Sequence, residues 1–225
     1  MSAERPTLAI IGGTGALGGG LATRWAAAGY PVILGSRAAE KAVAAAAAIP
    51  ASKNAPAVRG MDNAAAAAAG EIVVVTVPFA THEAIIDEVR AGAAGKILID
   101  TTVPLVPPKV ATVQLPPHGS AAVAAQVKLG DGVRVVSAFH NVAAHKLQTG
   151  ETIDCDVLIC GNDRAARDVV IGLAEAIGLH GVDAGPLANS VAAEALTSVL
   201  IGINRRYKID GAGIRITGFP DRPGQ

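Results

Sequence analysis

Aromatic side chains are scarce in this chain: one Trp, two Tyr and three Phe among 225 residues. Much of its apolar content is alanine, which buries little area per residue. Neither sign of charge is in excess, since Lys+Arg and Asp+Glu each number 19. The electrostatic footprint of a nucleic-acid partner is therefore missing. There are only two cysteines, Cys155 and Cys160. They have no His or Cys companions at ligand spacing, so no metal is expected and both thiols are expected to be reduced. No uninterrupted apolar run reaches about 18 residues, the signature of a membrane span. The opening M-S-A-E-R-P has no apolar signal core. A cytoplasmic protein working without membrane or nucleic acid is the expectation.

What is present is more specific. Thr7–Gly18 reads T-L-A-I-I-G-G-T-G-A-L-G, an apolar run breaking into glycines. Gly13, Gly15 and Gly18 fit G-x-G-x-x-G between a strand and a helix, the context that separates a dinucleotide fingerprint from a chance cluster. Gly13 is expected to turn the chain off the strand. Gly15 lets backbone approach a pyrophosphate, and Gly18 lets the helix pack near the sheet. The free N–H groups of that helix's first turn then face the phosphates.

Strand-like and helix-like stretches alternate along the chain, which predicts an α/β fold. Specifically, we expect a Rossmann-type doubly wound parallel sheet with a small C-terminal helical and strand domain. Strands are expected at Thr7–Ile11, Val32–Leu34, near Val58, and at Ile72–Val77, Ile97–Ile99, Val133–Ala138, Val157–Cys160 and His180–Asp183. Helices are expected at 17–28, 40–49, 63–69, 82–90, 121–127, 163–177 and 190–208. Five prolines between Val103 and Pro117 exclude a helix there. Gly185-Pro186 marks a boundary, dividing a dinucleotide domain (1–184) from a small unit (185–225) that ends in a short strand at Ile214–Thr217.

NAD binders place a carboxylate after the second strand. Here that position reads Gly35-Ser36-Arg37, with Lys41 one helical turn further on. A hydroxyl, a guanidinium and an ammonium suit a ribose 2′-phosphate, so NADP(H) is favoured. Ligands lie across the carboxyl ends of strands in such a sheet. Three of those ends carry notable residues: Val77-Pro78-Phe79, Asp100-Thr101-Thr102 and Phe139-His140-Asn141-Val142. Pro78 and Phe79 are placed to flank a nicotinamide ring or to cap the strand. His140 is the best-placed titratable group, for orienting a carbonyl or moving a proton. A structural role for it stays open. His82, His118, His145 and His180 are read as surface residues. The Tyr–Lys pair of short-chain dehydrogenases is missing: neither Tyr30 nor Tyr207 is followed four residues on by Lys.

These motifs together resemble one family. They are G-G-T-G-A-L-G at 12–18, G-S-R at 35–37, Lys41, V-P-F at 77–79, S-A-F-H at 137–140, C-G-N-D at 160–163, D-A-G-P-L-A-N-S at 183–190 and E-A-L-T at 194–197. The chain is similar to NADPH-dependent F420 reductases (8-hydroxy-5-deazaflavin:NADPH oxidoreductases) over nearly its whole length. The resemblance implies hydride exchange between NADP(H) and coenzyme F420. It implies that Thr14, Gly15, Ala16 and Leu17 wrap the pyrophosphate, and that Ser36, Arg37 and Lys41 hold the 2′-phosphate. It puts Phe79, Val142 and Ala143 at the nicotinamide end. It puts Thr197 near the paired rings, and Ala212, in the turn Gly211-Ala212-Gly213, against the deazaflavin. The family often carries Trp where this chain has Phe79, and H-T-I-P where it has His140-Asn141-Val142-Ala143. Arg205, Arg206 and Lys208 either attract the coenzyme's anionic tail or are a solvated helix end. The apolar stripe Val191, Ala195, Leu196, Val199, Leu200 and Ile203 exceeds what a small unit buries alone, so a homodimer is expected. Two other readings remain open here: a flavin, quinone or metal reductase on the same scaffold, and an NADP(H)-binding redox sensor without turnover.

Overall fold

The computed structural model describes residues 5–51 and 56–219. Eight strands among them form one sheet: β1 (Leu8–Ile11), β2 (Val32–Ser36), β3 (Arg59–Asp62), β4 (Ile72–Val75), β5 (Ile97–Asp100), β6 (Arg134–Ser137), β7 (Asp156–Gly161) and β8 (His180–Asp183). Their spatial order is β3-β2-β1-β4-β5-β6-β7-β8. All neighbours run parallel except β6 and β7, which pair antiparallel through Val136–Gly161 and Ser137–Cys160. The chain winds outward from β1 in one direction to β3, then returns to lay β4 on β1's other side. This reversal opens a crevice at the carboxyl ends of β1 and β4.

Helices cover both faces. They are α1 (Ala16–Ala27), α2 (Ala39–Ala48), α3 (Asn63–Ala69), α4 (Phe79–Ala93), α5 (Ala121–Leu129), α6 (Ala144–Gln148), α7 (Arg164–Glu175) and α8 (Ser190–Tyr207). β1 is buried on both sides, and its alternating side chains enter two separate cores. Leu8 and Ile10 join Trp25, Phe139 and Leu173 on one face, while Ala9 and Ile11 join Ala66, Ile86 and Val89 on the other. Trp25 anchors the first core. Its ring meets Phe139 edge-on at 5.7 Å, and its Nε1 donates to the Leu173 carbonyl at 2.9 Å. A large ring with its one polar atom satisfied is a stable core element.

Short polar side chains set the starts of three helices. Asp62, Ser120 and Asp163 each accept a backbone N–H from the third residue on (Ala65, Val123 and Ala166). The expectation at Asp163 holds. Two elements differ from expectation. The short helix α6 was not anticipated, and Ile214–Thr217 is extended chain outside the sheet. That segment still binds β7: the Asp156 N–H donates to Ile214 O at 2.9 Å, and Asp156 Oδ2 accepts from Ile216 N.

α8 lies where a helix was expected, but a different face turns inward. Its inward face is Ser190, Ala193, Glu194, Ser198 and Leu200. Glu194 reaches into the start of α5, accepting from Ala121 N at 2.7 Å and Ala122 N at 3.1 Å. Ser190 meets Ser120 at 2.7 Å. The apolar stripe therefore does not face the domain: of its six residues only Leu200 is buried, and Val199 is 46% exposed. By length and mean hydropathy (1.3) Leu187–Tyr207 passes for a membrane span, although Glu194 breaks its apolar run. Crossing a membrane would cost Glu194 both of its N–H partners.

Candidate active site

β1 is followed by Gly12, whose φ of +77° puts the left-handed step one residue earlier than expected. Gly13 serves close packing instead. A Cβ there would lie 2.8 Å from Ile10 O and from Leu34 Cδ2. Gly18 is tighter still, with a Cβ 2.5 Å from Thr76 Oγ1. Gly15 faces open space apart from Gly12 O at 3.3 Å, and no side chain caps α1 there. The first N–H groups of a helix lack intrahelical partners. Thr14, Gly15 and Ala16 are exposed at this end, while Leu17 turns inward to pack on the core. The turn thus offers backbone donors and no obstruction, which fits a pyrophosphate.

A cleft of about 220 Å³ runs from this turn. Gly12, Thr14 and Gly15 line it with Ser36, Arg37, Asn63, Thr76, Val77 and Pro78, and Thr81 and Ile85 close its far side. Arg37 and Lys41 are exposed. Among the described residues neither makes an ion pair. Lys41, on α2, does not line the cleft itself. Larger hollows of about 610 and 510 Å³ lie elsewhere, one between α4 and α5, the other under the C-terminal segment.

Phe79 lines the larger of those hollows rather than the cleft. Its ring lies over His82, centroids 6.5 Å apart. His82 is not a surface residue: it is buried, with Nε2 2.6 Å from Asp100 Oδ2 at the end of β5. Burial pushes the His82 pKa down, but the charge and hydrogen bond of Asp100 outweigh it and the net shift is upward. Burial likewise opposes the Asp100 charge, and His82 with the Thr102 donors holds its pKa below the usual value. A spacing of eighteen residues, with no local pattern, hides this pair in the sequence.

β6 ends in a strained turn. Phe139 has φ of +67° while fully buried against Trp25. Such a conformation costs about 1–3 kcal/mol and persists only where surroundings over-determine it. It delivers His140, Asn141, Val142 and Ala143 to the carboxyl edge. His140 is buried, and that burial pushes its pKa down to about 4 against the opposing charge of Asp100. Its imidazole is neutral at physiological pH. Nε2 lies 3.5 Å from Ser137 Oγ, and Nδ1 has no partner among the described residues. Thr197 on α8 donates to the His140 carbonyl at 2.9 Å. Asn141 bonds across to Cys155 Sγ and Asp156 O. His180, half-buried, pairs with Asp156 at 3.1 Å, whereas His118 and His145 are exposed as expected.

The C-terminal glycine turn closes onto the same loop. Gly211 has φ of +74°, and a Cβ there would be 2.7 Å from Ala143 Cβ. A Cβ on Gly213 would be 2.8 Å from Cys155 Sγ. Ala212 N donates to Asn204 Oδ1 at 2.8 Å. Ala212, Ala143 and Thr197 are therefore brought around the end of β6. Arg205, Arg206 and Lys208 are exposed where α8 ends. Cys155 and Cys160 are buried free thiols, and burial pushes Cys160 up to about 11. Sequence reasoning missed Asn63, Thr76, Thr81 and Ile85 as cleft residues. Only Thr76, a hydroxyl within I-V-V-V-T-V, left a visible signal.

A switch-point crevice carrying an open glycine turn, with basic side chains beyond β2, defines a Rossmann-type dinucleotide-binding protein. A family model described as NADP oxidoreductase, coenzyme F420-dependent, matches residues 7–104. The F420-dependent NADP reductase of Methanothermobacter marburgensis is 41% identical over 223 residues, covering 95% of this chain and 99% of its own. That of Methanothermobacter thermautotrophicus is 39% identical, covering 96% of each chain. A crystal structure of a candidate F420-dependent NADP reductase from Arthrobacter sp. FB24 superposes with TM-score 0.76 at 26% identity, covering 94% of this chain and 99% of the other. The chain belongs to the F420-dependent NADP reductase family.

Proposed function

We propose that this protein transfers hydride between NADP(H) and coenzyme F420 by direct contact of the two rings. The observation that carries the reading is the contact of Gly211 with Ala143, which seats the Ala212 turn on the loop leaving β6. A dinucleotide cleft and a second ring-binding wall then share one edge of the sheet. Nicotinamide and 5-deazaflavin both exchange electrons as hydride, which requires stacked rings with reacting carbons about 3–3.5 Å apart.

The side chains have little chemistry to perform beyond binding and exclusion of water. Backbone N–H groups at Thr14, Ala16, Leu17 and Gly18 take the pyrophosphate, Gly13 and Gly15 shape the turn with their own N–H groups spent on Gly35 O and Gly12 O, and Ser36, Arg37 and Lys41 take the 2′-phosphate. Val77, Pro78, Val142 and Ala143 form the nicotinamide walls, Phe79 stands outside them over His82, and Ala212 meets the deazaflavin. His140, neutral because it is buried, acts as a hydrogen-bonding group at the ring edge. Thr197 holds its carbonyl. The proton that accompanies deazaflavin reduction comes from solvent. Residues 185–219 act as a small appended unit completing the second ring's site; 220–225 lie outside the described residues.

The subunit is read as half of a homodimer working in the cytoplasm. The outward apolar face of α8 supports this: Val191, Leu196, Val199 and Ile203 are left at least partly exposed. Mixing the protein with NADPH and oxidised F420 tests the activity. The visible deazaflavin band is expected to bleach, with FMN and FAD as poor substitutes. Tight NADPH binding without bleaching would overturn the reading in favour of a sensor.

A further inference from the structure

Asn63 is 1% exposed, lines the dinucleotide cleft, and has an Oδ1 without a hydrogen-bond partner among the described residues. Its amide is not free to turn. Nδ2 donates to Glu88 Oε2 at 3.2 Å. A carboxylate only accepts, so the NH2 side must face Glu88 and the carbonyl oxygen must face the other way. Gly35 makes room for that oxygen, since a Cβ there would come within 3.1 Å of it. A buried acceptor left unmade costs stability, and in native proteins such an atom calls for an explanation.

The cleft itself supplies one. Gly12 to Gly15 bound its pyrophosphate end, and Ser36 and Arg37 bound the ribose phosphate. Past Ser36, whose register partner on β3 is Asp62, the wall continues through Asn63 to Thr81 and Ile85 on α4, with Pro78 alongside. A slot with Pro78 and Ile85 on its walls and one buried acceptor suits a flat base carrying an exocyclic donor. We infer that Asn63 Oδ1 accepts a hydrogen bond from the 6-amino group of the cofactor's adenine, making Asn63 a specificity residue for the base. This inference rests on the NADP(H) reading of the cleft.

The test compares NADPH with its hypoxanthine analogue, in which a 6-oxo group replaces the amine and sets acceptor against acceptor. In the unaltered protein the dissociation constant for the analogue is expected to be about tenfold higher. In Asn63→Ala the loss falls on NADPH alone and the preference collapses to near one. Glu88→Ala, which frees the amide to turn, lowers the preference without abolishing it. Equal affinity for both cofactors in the unaltered protein overturns the inference, whether or not the variant folds. An equal loss of both cofactors in Asn63→Ala assigns the contact to ribose and overturns it too. Failure of NADPH itself to bind would instead remove the parent reading.

Discussion

Arg37 shows how a single residue can carry cofactor choice. Its guanidinium stands exposed beside the cleft, beyond Ser36, with no ion pair among the described residues. Charge-assisted hydrogen bonds contribute roughly 1.5–3 kcal/mol each. Arg37→Ala should therefore raise the dissociation constant for NADPH roughly ten- to a hundredfold and leave NADH nearly unchanged. Fluorescence titration with both cofactors checks this, and an equal loss for both would sink the phosphate assignment. The arginine and its serine were legible in the sequence because their signal is positional: a missing carboxylate at the end of the second strand. The Asp100–His82 pair was not legible. Its members meet only because α4 folds back beside β5, and a histidine inside a short amphipathic stretch looks solvated until that packing is known.

At the scale of elements, the C-terminal arm is the part to test. Helix α8 ends at Tyr207, Lys208 takes the left-handed conformation, and Asn204 then holds the Ala212 N–H. Losing one such hydrogen bond costs about 1 kcal/mol. Asn204→Ala should raise KM for F420 about fivefold while the NADPH dissociation constant stays constant. A parallel rise in both would mean the variant loosens the whole edge rather than the turn. The motifs that point most strongly to the family prove structural at this scale. Asp183 takes a bidentate bond from Arg167 and another from Gly185 N, and Asn162 Oδ1 accepts from Leu187 N. C-G-N-D and D-A-G-P-L-A-N-S thus knit β7, α7 and β8 to the start of α8. They fix where Glu194 and Thr197 stand without touching the cofactor cleft.

For the whole molecule, two buried groups give stability opposite slopes with pH. His140 falls from 6.5 to about 4 through burial, so the unfolded chain binds the extra proton between those values and stability is lost as pH drops. Glu194 rises from 4.5 to about 8, burial outweighing its two N–H donors, so stability is lost as pH climbs between those values. The slopes cancel between pH 4.5 and 6.5. Above that range Glu194 alone lowers stability, by ~2 kcal/mol at pH 8. His82, raised by Asp100, adds to the alkaline fall once its own folded-state pKa is passed. Urea unfolding from pH 4.5 to 8 should show the plateau and the fall. Glu194→Gln should flatten the fall, and an unaltered slope in that variant would refute the assignment. Assembly is tested by sedimentation velocity at micromolar concentration. A dimer is expected, Val199→Glu on the outward face of α8 should dissociate it, and a monomeric unaltered protein would remove the proposal.

Local chemistry determined the glycine turn, the strand–helix alternation, the caps and the basic residues beyond the second strand. Each depends on neighbours a few positions away, so each could be read from the chain. Tertiary structure alone decided which face of α8 turns inward. Periodicity pointed to the apolar stripe, but Glu194 and Ser190 found partners at the start of α5, some seventy residues distant. The antiparallel pairing of β6 with β7, the burial of His82 and His140, and the placing of the Asn63 oxygen away from any partner among the described residues were decided in the same way. Each depends on contacts between distant segments, where the cost of burying a polar group is set by whatever the fold brings beside it.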